Sequence, residues 1–109
     1  MAVDRRRLGG VWMALSRKRL SEAEIQRRVR KLKGWKREGV FLVKKYKFGT
    51  FMEAVGFMNR VFAAAEAQDH HPDLYNVWAF VTIKWSTHDV GGLTDWDFKM
   101  AERCDRLRS

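Results

Sequence analysis

The sequence predicts an α+β domain, with helices packed on one face of an antiparallel sheet. Three capping motifs each open a stretch of 3.6-residue apolar periodicity, and two stretches of strict alternation lie between them. The order is therefore helix, two strands, helix, one long or two short strands, helix. A chain of 109 residues suits one such core.

The first helix opens at Ser21-Glu22-Ala23-Glu24, a capping box in which hydroxyl and carboxylate satisfy amide donors that have no partner within the helix. Leu20 and Ile25 are spaced as a hydrophobic staple around it. Ile25, Val29 and Leu32 make one apolar stripe, and Gly34 supplies a left-handed stop. From Trp35 the period changes to two, with Gly39 marking a hairpin. Val40, Leu42, Tyr46 and Phe48 share one face, interrupted by Lys44, while Phe41, Val43, Lys45 and Lys47 share the other. Apolar residues on both faces predict helices on one side and a second subunit partly covering the other.

Thr50-Phe51-Met52-Glu53 caps a second helix with the stripe Phe51, Ala54, Val55, Met58, Val61, Phe62 and Ala65, widened by Phe57. Its length and apolar width predict the most buried helix of the domain. It should end near Asp69-His70-His71, because Pro72 disfavours helical geometry before it. Leu74 to Thr87 alternates again, with Val77, Ala79, Val81, Ile83 and Trp85 on one side and a turn or bulge expected near Asn76. Thr94-Asp95-Trp96-Asp97 caps the last helix, whose inner stripe is Phe98, Ala101, Cys104 and Leu107.

The net charge of +9 is not spread evenly. Residues 1–33 hold eleven Lys/Arg against three acidic groups, and the rest of the chain holds eleven against ten. Basicity of this kind can serve phosphate binding, but it belongs to the N-terminal third, so nucleic acid is not expected as a partner. Residues 1–19 read as a basic, flexible arm preceding a domain over 20–109. An organelle-targeting segment, or sequence translated ahead of Met13, are the alternatives. With no apolar run approaching ~18 residues no membrane span is expected, and a lone Cys104 fits a reducing, cytoplasmic compartment.

All three histidines, His70, His71 and His88, fall within residues 66–89. Imidazole titrates near ~6.5, so it can both give and take protons at neutral pH. The three sit at two element junctions, where a rigid scaffold commonly places functional groups. Metal ligation is disfavoured, since adjacent His70 and His71 point apart and no histidine pair has i, i+4 spacing. Cys104 reads as a core residue, not a nucleophile, and Gly91-Gly92 lacks the rest of a phosphate loop. General acid–base chemistry on a small planar molecule is what remains.

The combined spacing Glu66-x-x-x-His70-His71-Pro72, Trp78, Ser86-Thr87-His88-Asp89, Gly92-Leu93-Thr94 and Asp97, with Gly34-Trp35, Phe48-x-x-Phe51 and Ala101 around it, resembles the pterin-4a-carbinolamine dehydratase family from about Leu20 to Leu107. The resemblance implies a hydro-lyase that dehydrates 4a-hydroxytetrahydropterin to the quinonoid dihydropterin, recycling the tetrahydrobiopterin used by aromatic amino-acid hydroxylases. It implies a four-stranded sheet and a homodimer or homotetramer, with no metal or organic cofactor. It makes His70 and His88 the acid/base pair and gives His71 a substrate-holding role. Asp69, Ser86, Thr87 and Asp89 would line the pterin site, with Trp35 as an apolar wall. Glu66 and Pro72 would support it, and Asp97 would act there directly or serve as a helix cap. A non-catalytic binding module of the same fold, a transcriptional coactivator or dimerisation cofactor or a basic-arm nucleic-acid binder, is the alternative.

Overall fold

The computed structural model describes residues 15–108. The first fourteen residues of the expected basic arm, with its arginine triplet, lie outside the described residues.

Helix α1 (Glu22–Val29) is followed by strands β1 (Lys36–Glu38) and β2 (Phe41–Lys47) and by helix α2 (Phe51–Gln68). Strands β3 (Asp73–Val77) and β4 (Phe80–Trp85), a 3₁₀ turn (His88–Val90) and helix α3 (Asp95–Leu107) complete the order. The four strands form one antiparallel sheet in the order β1-β2-β4-β3. Leu42, Tyr46, Val81, Ile83 and Trp85 are buried on its inner face, together with Phe57 and Val61 of α2 and Met100 and Ala101 of α3. This is the α+β architecture that the periodicities predict.

Each helix starts where its cap is written, but only α3 closes both halves of the box. The Ser21 hydroxyl accepts from the Glu24 amide, yet the Glu24 carboxylate turns to Arg27 and Arg28. Glu53 likewise accepts from the Gly49 amide, one residue before the cap. At α3, Thr94 and Asp97 cap one another reciprocally. The stripe of α2 is recentred on Ala54, Phe57, Met58, Val61 and Ala65, leaving Phe51 and Phe62 exposed at its margins. Helix α3, not α2, is the more buried, with six buried residues among thirteen against five among eighteen. It covers the sheet centre and also caps the histidine end.

Two residues leave their expected face, both through turn geometry. Val40 lies in the two-residue loop between β1 and β2, where Glu38 pairs with Phe41. It is therefore exposed instead of sharing the face of Leu42. Between β3 and β4 the loop is Trp78-Ala79 and Val77 pairs with Phe80, so those two share the outer face and Val77 leaves the core set. Asn76 fixes that turn, its amide donating to the Trp78 and Phe80 carbonyls at 3.0 and 2.9 Å. Trp78 carries the strain of the turn at φ 49°.

Lys44, the exception on the inner face, is accounted for by Asp105 of α3. That carboxylate accepts from Lys44 Nζ at 2.8 Å, from Trp35 Nε1 at 3.1 Å and from the Tyr46 hydroxyl. Burial, then the bond to Asp105, raises the Tyr46 phenol well above its usual range, so it stays a donor. Gly34, at φ +84°, lets the chain pass over this group, since a Cβ there would lie 3.0 Å from Lys44 Cε. Replacing Asp105 with Ala leaves three donors short of an acceptor and should cost roughly 2–3 kcal/mol. Urea unfolding measures it, and a loss below about 0.5 kcal/mol would show the cluster to be idle.

Candidate functional site

Helix α2 ends by placing Asp69 in the left-handed region, φ 49°, while the amides of Asp69 and His70 bond back to Glu66 and Ala65. The reversal sends His70 inward and leaves His71 outside. His70 is only 5% exposed, whereas the His71 ring is exposed and contacts the Glu66 carboxylate at 2.8 Å. His70 lies parallel to the Trp85 indole, with ring centroids 5.7 Å apart, and tilts against Trp96.

Asp97 is fully buried and meets three groups. His70 Nε2 is 2.7 Å from Oδ1, while Oδ2 takes the Thr87 hydroxyl at 2.7 Å and the Thr94 amide at 2.9 Å. The directions of these bonds follow from what each group can do. A carboxylate only accepts, so Nε2 of His70 is a donor and Nδ1 of the neutral ring carries the lone pair. Thr87, having donated to Asp97, accepts from the Thr94 hydroxyl at 2.8 Å, and that hydroxyl accepts the Trp96 amide. Asp97 is thus at once a member of the helix cap and the partner of His70.

His88 stands on the 3₁₀ turn beyond β4, exposed, with its ring edge-on to Phe41 at 6.4 Å. Asp89 beside it binds Arg17 Nη2 at 3.0 Å. That bond, and then the charge of Arg17, holds the Asp89 carboxyl below its usual range. A cleft of about 160 Å³ gathers Arg17, Asp69, His70, His71, Ser86, Thr87, His88 and Asp89. Ser86 is 3% exposed, and its hydroxyl has no hydrogen-bond partner among the described residues.

Of the residues singled out from the sequence, the fold thus brings together Asp69, His70, His71, Ser86, Thr87, His88 and Asp89. Asp97 lies behind His70, and Glu66 behind His71. Pro72 follows on the exit from the helix end. Trp35 is elsewhere, buried in the core on Asp105, and does not line this cleft. Arg17 belongs to the basic arm in sequence, and nothing local links it to Asp89, 72 positions away. Two larger clefts exist, about 370 Å³ between α1 and α3 and about 470 Å³ on the outer face of β3 and β4. Neither contains a histidine, so chemistry and not volume selects the site. Burial pushes the Cys104 thiol up to about 12, which removes it as a nucleophile near neutral pH. Among the described residues no cluster of three His, Cys, Asp or Glu is arranged to hold a metal ion, and no helix is long and apolar enough to cross a membrane.

Comparison with known proteins points to one group. The family described as pterin 4 alpha carbinolamine dehydratase matches residues 18–107. A protein of Koribacter versatilis with the provisional name pterin-4-alpha-carbinolamine dehydratase is 42% identical over 90 residues, spanning 83% of this chain and 96% of its own. A Sulfurisphaera tokodaii protein with the same provisional name is 40% identical, spanning 83% and 97%. The crystal structure of a transcriptional coactivator/pterin dehydratase from Brucella melitensis is similar at TM-score 0.81 and 33% identity, over 84% of this chain and all of that one. A pterin dehydratase-like protein identified as a RuBisCO assembly factor shares the fold at TM-score 0.58 and 21% identity, over 69% and 87%.

Proposed function

The chain belongs to the pterin-4a-carbinolamine dehydratase family, a family of hydro-lyases, and on that premise we propose that His70 and His88 dehydrate 4a-hydroxytetrahydropterin by general acid–base catalysis. The observation that carries this reading is the buried His70–Asp97 pair, which opens on the same cleft as the exposed His88.

The reaction breaks the C4a–O bond and forms a C=N bond to the adjacent ring nitrogen. His88, protonated and open to water, gives its proton to the leaving hydroxyl, which departs as water. His70 takes the ring N–H proton at Nδ1, and the Asp97 carboxylate against Nε2 stabilises the imidazolium that results. The product is the quinonoid dihydropterin, and the route calls on no metal or organic cofactor. Asp69, Thr87 and Asp89 border the pterin. His71, held by Glu66, contacts it from the rim. This activity would return the pterin cofactor of aromatic hydroxylases to use.

Ser86 offers a separate test. Its buried hydroxyl lacks a partner among the described residues, so a pterin polar group would complete it. Ser86→Ala should raise KM about fivefold, the equivalent of one hydrogen bond of about 1 kcal/mol, without lowering Tm. An unchanged KM would remove Ser86 from the binding set.

The sheet face opposite the helices exposes Tyr75 and Val77 beside Phe41 and Phe80, and the lysine amines of Lys45, Lys47 and Lys84 lie over the last two rings. That face supports assembly as a homodimer or homotetramer. The deciding experiment for the activity follows quinonoid dihydropterin formation from 4a-hydroxytetrahydropterin. A rate no higher than the spontaneous one, with a pterin analogue still bound, would leave only the binding-module reading.

A further inference from the structure

The 3₁₀ turn that carries His88 buries none of its three residues. Apart from the edge contact of His88 with Phe41, packing of its own side chains therefore does little to fix where the imidazole points. The base of the turn is held by backbone bonds, from the Thr87 amide to the Gly92 carbonyl at 3.0 Å and from the Gly91 amide to the His88 carbonyl at 3.1 Å. Its tip is held from outside, by Arg17 on Asp89.

Arg17 works from a fixed strip of backbone. The Ser16 amide donates to Asp95 Oδ2 at 3.0 Å and the Leu20 amide to the Leu93 carbonyl at 2.8 Å. Arg19 packs against Gly92 so closely that a Cβ there would meet its Nε at 3.1 Å. From this strip the Arg17 guanidinium borders the cleft together with all three histidines. Arg17 lies just before the residues matched by the family, which begin at position 18, so membership assigns it no role.

We propose that Arg17 is a positioning residue of the site: through Asp89 it holds the 3₁₀ turn with His88 turned to the cleft, and its charge balances the carboxylate beside that imidazole. The proposal rests on the dehydratase reading. The groups around His88 are Asp89 next to it, Arg17 across the mouth, and Asp69, His70 and His71 from the end of α2. Lys84 lies over Phe41, the ring that His88 meets edge-on. With Arg17 gone, the Asp89 charge beside His88 would be unbalanced. An exposed ion pair adds little to stability, so the consequence falls on the site and not on Tm.

The test combines Arg17→Gln, Arg17→Lys, Asp89→Asn and the Arg17→Gln/Asp89→Asn double variant. Arg17→Gln should lower kcat/KM on the order of tenfold, as a modest misplacement of an acid does, with Tm unchanged and partial recovery in Arg17→Lys. In the Asp89→Asn background the same substitution should cause no further loss. Full activity in Arg17→Gln, or an equal loss in both backgrounds, would overturn the proposal. The His88 ring resonances in NMR spectra read the same coupling without turnover and should move in Arg17→Gln. Unmoved His88 ring resonances refute the Arg17 role, whereas wild-type protein without dehydratase activity refutes the functional reading instead.

Discussion

Alanine at His88 should lower kcat/KM for 4a-hydroxytetrahydropterin by about 10²- to 10⁴-fold, the usual contribution of a placed general acid, and leave the fold intact. His88 is exposed and sits on a turn with no buried residue, so little packing is lost with its ring. His70→Ala should cost as much in rate but also some stability. It leaves Asp97 Oδ1 buried without its donor and removes the ring stacked on Trp85. An unpaired buried acceptor costs roughly 1–3 kcal/mol, so His70→Gln, which keeps a donor near Asp97, is the cleaner partner variant. Steady-state rates beside thermal unfolding separate the two effects. A His70→Ala/His88→Ala protein with full activity would end the assignment.

The largest effect on the fold is expected at Asp97. Asp97→Ala takes away its half of the α3 capping box, worth about 1 kcal/mol, and strands the buried donors of Thr87, Thr94 and His70. Together these should lower stability by roughly 3–5 kcal/mol, a large share of the 5–15 kcal/mol typical of a small domain. Asp97→Asn distinguishes fold from chemistry. Its amide oxygen can keep the Thr94 and Thr87 contacts, which turns its NH₂ toward His70. Nε2 must then accept, the ring proton moves to Nδ1, and the basic nitrogen is lost from the reacting side. Asp97→Asn should therefore fold well and lose about 10²-fold or more in kcat. Denaturation curves test the first variant and kcat the second; a fast Asp97→Asn enzyme would show that the tautomer does not matter.

What was legible in the sequence was local. The caps Ser21, Thr50 and Thr94 each act within three residues, and the apolar repeats lie within single elements, so helix starts and core faces could be read directly. A turn near Asn76 could be read as well, but the β3 register could not, because Val77 to Trp85 alternates without a break while the loop at Trp78-Ala79 moves Val77 to the outer face. The histidine cluster was legible from its spacing in the chain. The inward and outward orientation of His70 and His71 depends on the left-handed Asp69, which Pro72 only hints at. Lys44 looked like a flaw in a strand until Asp105, 61 positions on, supplied its partner. Arg17 and Asp89 meet for the same reason, and no pattern confined to one element can reveal such a pair.

The hydrogen-bond chain behind His70 has a consequence for how the catalyst resets between turnovers. Every bond in it runs inward, from the Trp96 amide through Thr94 and Thr87 to Asp97, and its far end is a backbone N–H that cannot release a proton. This is a closed end and not a conduit to bulk solvent. A proton acquired by His70 can leave only through the nitrogen by which it entered. Dehydration consumes no net proton, so in the proposed mechanism the charge gained by His70 in one cycle would equal the charge His88 must recover for the next. A shallow cleft open to water, with both imidazoles on its wall, lets the departing water molecule or its successors carry that proton across. Proton recycling would then be internal to the site, and turnover should be insensitive to buffer concentration.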